Sequence, residues 1–380
     1  GTVINGITQS YEGAAPDIGA YEYGGDFWSA GTDWNVSTKF GNTWTVHTNI
    51  APKIDSVVTA NDNSSVIVYF NENVYSGIEN QGALEVSDFA LSLTGGTATL
   101  TSATPTAITQ SGNTYTLSFS LSGTPDGSEV ISVAPLANSI YDGSGNLAST
   151  TQSNGSGTLF DNASPVIGSV ALAADNGSIN ISFSEPVFNT ALSSGALEVS
   201  DFALSLTGGT ATLTSATPTA ITQSGNTYTL SFSLSGTPDG SEVISVAPLA
   251  NSIYDGSGNL ASTTQSNGSG TLFEKVKPVV SISAVNVSGD VVSSSTTTND
   301  GSLTFTFTIS EPSEDFNQND ISISGGTLTN FQSASEVKYT ATFTPSNYGA
   351  STLNVKADVF TDTLGNKNIA SEVFSWFFDN

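Results

Sequence analysis

The run TYTLSFSLSG at 227–236 sets Tyr228, Leu230, Phe232 and Leu234 at every second position, with small hydroxyl residues between them. That period of two is the mark of a half-buried β-strand. The same ten letters stand at 114–123, inside a longer duplication: residues 82–160 recur letter for letter at 195–273, an offset of 113 positions. Upstream the match continues imperfectly, PKIDSVVTANDNSSVIVYFNENV (52–74) against PVIGSVALAADNGSINISFSEPV (165–187). A third, diverged copy follows, in which FTISEPSEDF, NDISISGGTLT, YTATFTPS and FTDTLGNKNIAS answer the earlier phrases. A period of this length is too long for a solenoid turn and suits one sandwich domain per copy. The expected boundaries are 51–160, 161–273 and 274–380, preceded by an unrelated segment at 1–50.

Composition narrows the function classes. The 380 residues carry 34 acids against seven lysines and no arginine, a formal charge of −27. Nothing in such a chain can neutralise a run of phosphates, which excludes nucleic acid as a partner, and an anionic membrane surface is disfavoured for the same reason. No apolar run approaches the roughly 18 residues of a membrane helix, so no membrane insertion is expected. The absence of cysteine removes disulfides, thiolate catalysis and cysteine-ligated zinc. The single histidine, His47 in an alternating WTVHT run, is expected to face solvent on a strand rather than serve a triad, and one histidine alone makes no histidine metal site.

In the second copy, strands are expected at about 165–172, 178–184, 201–207, 210–218, 227–234, 242–248 and 269–273, as an immunoglobulin-like sandwich requires. Alternating strand directions then bring Glu185, Asp201 and Asp255 to one pole, where the linker carrying Asp161 and Asn162 enters. Carboxylates gathered in this way repel one another unless a cation lies among them. Calcium takes six to eight oxygens from carboxylates, amides and carbonyls; magnesium, which prefers a rigid octahedron and retained water, suits the set less well. The same mapping gives Glu311, Asp320 and Asp362 in the third copy, with Glu314 and Asp315 nearby and Glu274 in the linker. There Lys275 and Lys277 are expected to take over part of the ion's work. The first copy offers Glu72, Asp88 and Asp142, without a linker acid, and is expected to be the weakest site. A purely structural reading stands beside this one: a D-x-x-G-N loop is also a tight turn in which Asp and Asn bond their own backbone.

The F-x-E-P strand end, the GG after the third strand, Y-x-x-x-F, and the D-x-x-G-N loop followed by a D-N-x-x-P linker resemble tandem bacterial immunoglobulin-like (Big-type) repeats over about 51–380. Such repeats occur in large surface adhesins and as accessory modules of secreted enzymes. The resemblance implies an all-β chain of three tandem immunoglobulin-like β-sandwiches in an extended array, with calcium at its joints, held at Asp161 and Asn162 much as in the Asp-Asn linkers of cadherins. Separately, APDIGAYEYGG (15–25) resembles the closing segment of right-handed parallel β-helix proteins of Bacteroidetes. It implies a short capping segment, with a β-helix domain upstream and export by the type IX route.

The leading expectation is a non-catalytic stalk or adhesin segment at the bacterial cell surface, joined to neighbouring domains of a larger protein and presenting a distal domain to a receptor or glycan. The competing expectation is a carbohydrate-binding or accessory region of a secreted polysaccharide lyase. Trp28, Trp34 and Trp44 would then stack on sugar, although packing between the cap and the first sandwich explains them as well. Paired carboxylates can hydrolyse glycosides, but acids that recur once per copy at a joint suit a structural ion better than a single cleft.

Overall fold

The structure, a computed structural model, describes residues 50–379. The cap-like segment, His47 and the three tryptophans Trp28, Trp34 and Trp44 lie outside them.

The described chain is all-β, with three short 3-10 turns and no α-helix. It divides into two compact units, Gly1–Asp161 and Asn162–Asn380. The first unit holds one hydrophobic core, from Ile54 to Leu159, and the second holds two, Ile167 to Leu272 and Val280 to Trp376.

In the second sandwich one antiparallel sheet runs in the order Ile167–Leu172, Ser178–Phe183, Thr227–Ser231, Ala220–Ser224. It faces a sheet of Phe202–Thr207, Val243–Pro248 and Ser269–Thr271. Seven strands in this order, ABED against CFG, are the immunoglobulin arrangement. The opening run behaves as its alternation demands: Tyr228 and Leu230 are buried, and the threonines beside them are half-exposed. Tyr228 meets Phe183 edge-on at 5.8 Å and Phe202 at 6.4 Å. Each such buried side chain contributes about 1.5–3 kcal/mol through its removal from water.

One expected strand is misplaced. Residues 210–218 contribute only the two-residue Thr212–Leu213, paired with Leu234–Ser235. The edge strand is Ala220–Ser224, joined to Thr227–Ser231 by a two-residue turn. Gly225, at φ 59°, supplies the left-handed backbone that such a hairpin needs. This turn fixes the register and draws the strand past Pro218.

The first sandwich repeats this plan. The third keeps two sheets but widens them to five and four strands, and Thr296–Thr298 adds in parallel to Phe374–Phe378. Its core is rebuilt around Trp376, whose ring lies 4.7 Å from Phe343 and 5.3 Å from Phe305.

Candidate metal centre

Two short pieces bring acids together in the second sandwich. After the strand Ser178–Phe183 the chain passes through Ser184-Glu185-Pro186 and then pairs Val187–Phe188 with Tyr254–Asp255. Glu185 and Asp255 thereby offer carboxylate oxygens within 4.8 Å of each other. Asp255 is buried, and its own loop holds it. One oxygen accepts the N–H groups of Ser257 and Asn259 at 2.8 and 2.7 Å, and the other accepts the Asn259 carboxamide at 2.8 Å. Asp142 and Asp362 are gripped in the same way by Asn146 and Asn366. The tight-turn reading of D-x-x-G-N is therefore correct in all three copies. It does not exhaust the carboxylate, because each oxygen has two lone pairs.

One three-acid cluster lies wholly within the second unit. Glu274, Glu311 and Asp362 each place a carboxylate oxygen within 4.8 Å of the other two. Glu274 comes from the linker, Glu311 from the Ser310-Glu311-Pro312 strand end and Asp362 from the loop. The Asn366 carboxamide bridges Asp362, at 2.9 Å, and Glu274. Burial, and then the charges of Glu274 and Asp362, push the Glu311 carboxyl above its ordinary value, with only a weak contact from Ser310 opposing them. Three hard oxygen donors with one carboxyl held up by burial and by its charged neighbours form a donor set that fits a divalent hard cation.

Lys275 and Lys277 do not act as expected. Among the described residues, the ion pair within 4.0 Å is Lys53–Asp55, and neither linker lysine reaches the cluster. Lys275 is held by its backbone instead, donating its N–H to the Pro238 carbonyl at 2.9 Å.

Other expected ligands are engaged elsewhere. Asp88, Asp201 and Asp320 each accept the backbone N–H three residues before them, from Glu85, Glu198 and Asn317, all at 2.7 Å. They close 3-10 turns at the start of the third strand, and none joins a three-acid group among the described residues. Asp315 locks the loop instead, accepting the Thr361 N–H at 2.9 Å and its hydroxyl at 3.1 Å. Burial pushes the Asp315 carboxyl up, and these bonds, with one from Ser313, outweigh it and leave it lowered. Asn162 and Glu314 are exposed. In the first sandwich Glu72 accepts from the Asn71 carboxamide at 3.1 Å, and Glu72, Asp88 and Asp142 form no such group among the described residues. Asp161 ends the first unit and stands where Glu274 stands in the repeat. Both pack on a glycine: a Cβ on Gly127 would lie 2.9 Å from that of Asp161, and one on Gly240 3.1 Å from that of Glu274.

Sequence reasoning missed two acids. Glu129 and Glu242 have no exposed surface. The Glu242 carboxylate accepts N–H bonds from Thr210, Ala211, Asp239 and Gly240 at 2.9–3.1 Å. The signal was a glutamate directly after the PDGS turn in both identical copies.

Residues 276–376 match the family model of the bacterial Ig-like domain. No curated protein matches the chain. Among solved structures the chain is similar to invasin, a bacterial integrin-binding protein, at 14% identity and TM-score 0.29 over 86% of this chain and 59% of that one. It is similar to the S-layer protein SbsC at 14% identity and TM-score 0.21, over 85% of this chain and 54% of that one. A third is SGBP-B of the Bacteroides ovatus mixed-linkage glucan utilization locus, solved with a mixed-linkage heptasaccharide, at 13% identity and TM-score 0.16, over 87% and 71%. The chain thus spans little more than half the length of the first two.

Proposed function

We propose that this chain, whose third sandwich carries the bacterial Ig-like pattern, is a non-catalytic segment of a bacterial surface protein whose joints are stiffened by calcium. The observation that carries the reading is the Glu274–Glu311–Asp362 cluster, because it draws one ligand from the linker and two from the sandwich that follows. An ion held there would restrain the linker against the third sandwich. Glu274, Glu311 and Asp362 would supply the carboxylates, and backbone carbonyls and water the remaining oxygens that calcium needs. By the repeat, Asp161 is the proposed counterpart of Glu274, Glu185 that of Glu311 and Asp255 that of Asp362, with Asn162 following Asp161 in the linker. A surface location and attachment to neighbouring domains of a longer protein belong to the same proposal. The glycan-binding alternative rests on Trp28, Trp34 and Trp44.

Differential scanning calorimetry of the chain in calcium and in chelator tests the reading. An ion bound only by the folded state raises stability by about 2.7 kcal/mol at a hundredfold excess over its Kd. The expected result is a melting transition that rises with calcium, and by less in Glu311→Gln/Asp362→Ala, which keeps only the proposed Asp161 counterpart. A chelator-independent melt would overturn the proposal.

A further inference from the structure

We propose that Asn176, a turn residue of the second sandwich, is the positioning residue for Glu274, and hence for the acid cluster it joins. The inference rests on reading that cluster as a cation site. Asn176 sits in the turn after the first strand, at φ 56° and 4% exposed. Its carboxamide clamps a residue 97 positions away: Nδ2 donates to the Phe273 carbonyl at 2.7 Å, and Oδ1 accepts the Phe273 N–H at 2.9 Å. The Phe273 ring is 47% exposed, so Asn176 holds the backbone rather than the side chain.

Phe273 immediately precedes Glu274, and the linker is tied on both sides of that residue. Leu272 donates its N–H to the Glu242 carbonyl at 2.9 Å, and Lys275 donates to Pro238 at 2.9 Å. With Gly240 pressed against it, Glu274 has its backbone fixed before its carboxylate meets any partner. That carboxylate then accepts from the Val276 N–H and the Asn366 carboxamide. A ligand oriented in advance loses less freedom on binding, and groups that orient metal ligands typically affect affinity by about 10–100-fold. The first unit repeats the device: Asn63 clamps Phe160 at 2.7 and 2.9 Å, again 97 positions on, and Asp161 follows directly.

Glycine adopts a left-handed backbone without strain, so Asn176→Gly removes the clamp and preserves the turn. The full chain is compared with Asn176→Gly, Asn63→Gly, Glu274→Gln and Asn176→Gly/Glu274→Gln, by calcium titration calorimetry and by NMR hydrogen exchange. Asn176→Gly is expected to weaken the calcium site containing Glu274 about tenfold and to speed exchange of the Val276 amide and the Asn366 carboxamide. Asn63→Gly should leave both exchange rates as they are. In the Glu274→Gln background, Asn176→Gly should cost no further affinity. Unchanged exchange at Val276 and Asn366 in Asn176→Gly overturns the inference, as does an equal loss of affinity with and without Glu274. If the unmodified chain takes up no calcium, the cation reading fails on its own, and the exchange measurement still decides whether Asn176 positions Glu274.

Discussion

Glu242 has no exposed surface and still keeps its charge. Burial pushes its carboxyl up, but the N–H groups of Ala211 and Thr210 outweigh that and hold it below its ordinary 4.5. Its stabilising contribution is therefore present above that value and lost as pH falls through the lower, folded one. Glu242→Gln turns an NH2 toward donors that need an acceptor and should cost about 1–3 kcal/mol, read from the urea midpoint at neutral pH. Gly209 explains half of the GG signature. At φ 57°, a Cβ there would stand 2.1 Å from the Glu242 carboxyl carbon. Gly209→Ala should lose at least about 1–2 kcal/mol in the same assay. Glu311 has the opposite sign. Its raised carboxyl binds a proton more tightly in the folded chain, so in chelator its contribution favours the fold at low pH and is lost as pH rises through the folded value. Glu311→Gln should therefore raise the chelated chain's stability at neutral pH and flatten this dependence, and calcium should abolish the advantage.

At the scale of elements, the D-x-x-G-N loop is one device used three times, and its hydrogen bonds are nearly superimposable in Asp142, Asp255 and Asp362. What differs is the surroundings. Asp142→Ala and Asp362→Ala should destabilise their own sandwiches to a similar degree in chelator, but Asp362→Ala alone of the two should reduce calcium uptake by titration calorimetry. The sequence made the loops, the S-E-P strand ends and six of the seven strands legible, because alternation and turn residues act locally. It misled at 210–218, where a hairpin turn further along set the register, and it did not show that Asp201 and Asp320 each accept the backbone N–H three residues before them. Lys275 and Lys277 misled for a related reason: proximity along the chain says nothing about where a long, flexible ammonium goes. Glu129 and Glu242 were missed because only acids converging on one pole of each sandwich were singled out.

At the scale of the whole molecule, the −27 charge is carried by a fold whose cores contain no ion pair among the described residues, so each sandwich depends on its own apolar packing. The third core, built on Phe305, Phe343 and Trp376, shares little with the other two. The first and second are alike to the letter over 82–160 and 195–273. Phe89–Thr94 presents the same side chains to Val130–Pro135 as Phe202–Thr207 presents to Val243–Pro248. A denatured chain therefore collapses with two chemically indistinguishable partners for each of these strands, and wrong pairing is as well packed locally as right pairing. Strand exchange between adjacent copies becomes a built-in folding hazard. The diverged third sandwich, with a core of different residues, offers neither of the first two a matched strand partner.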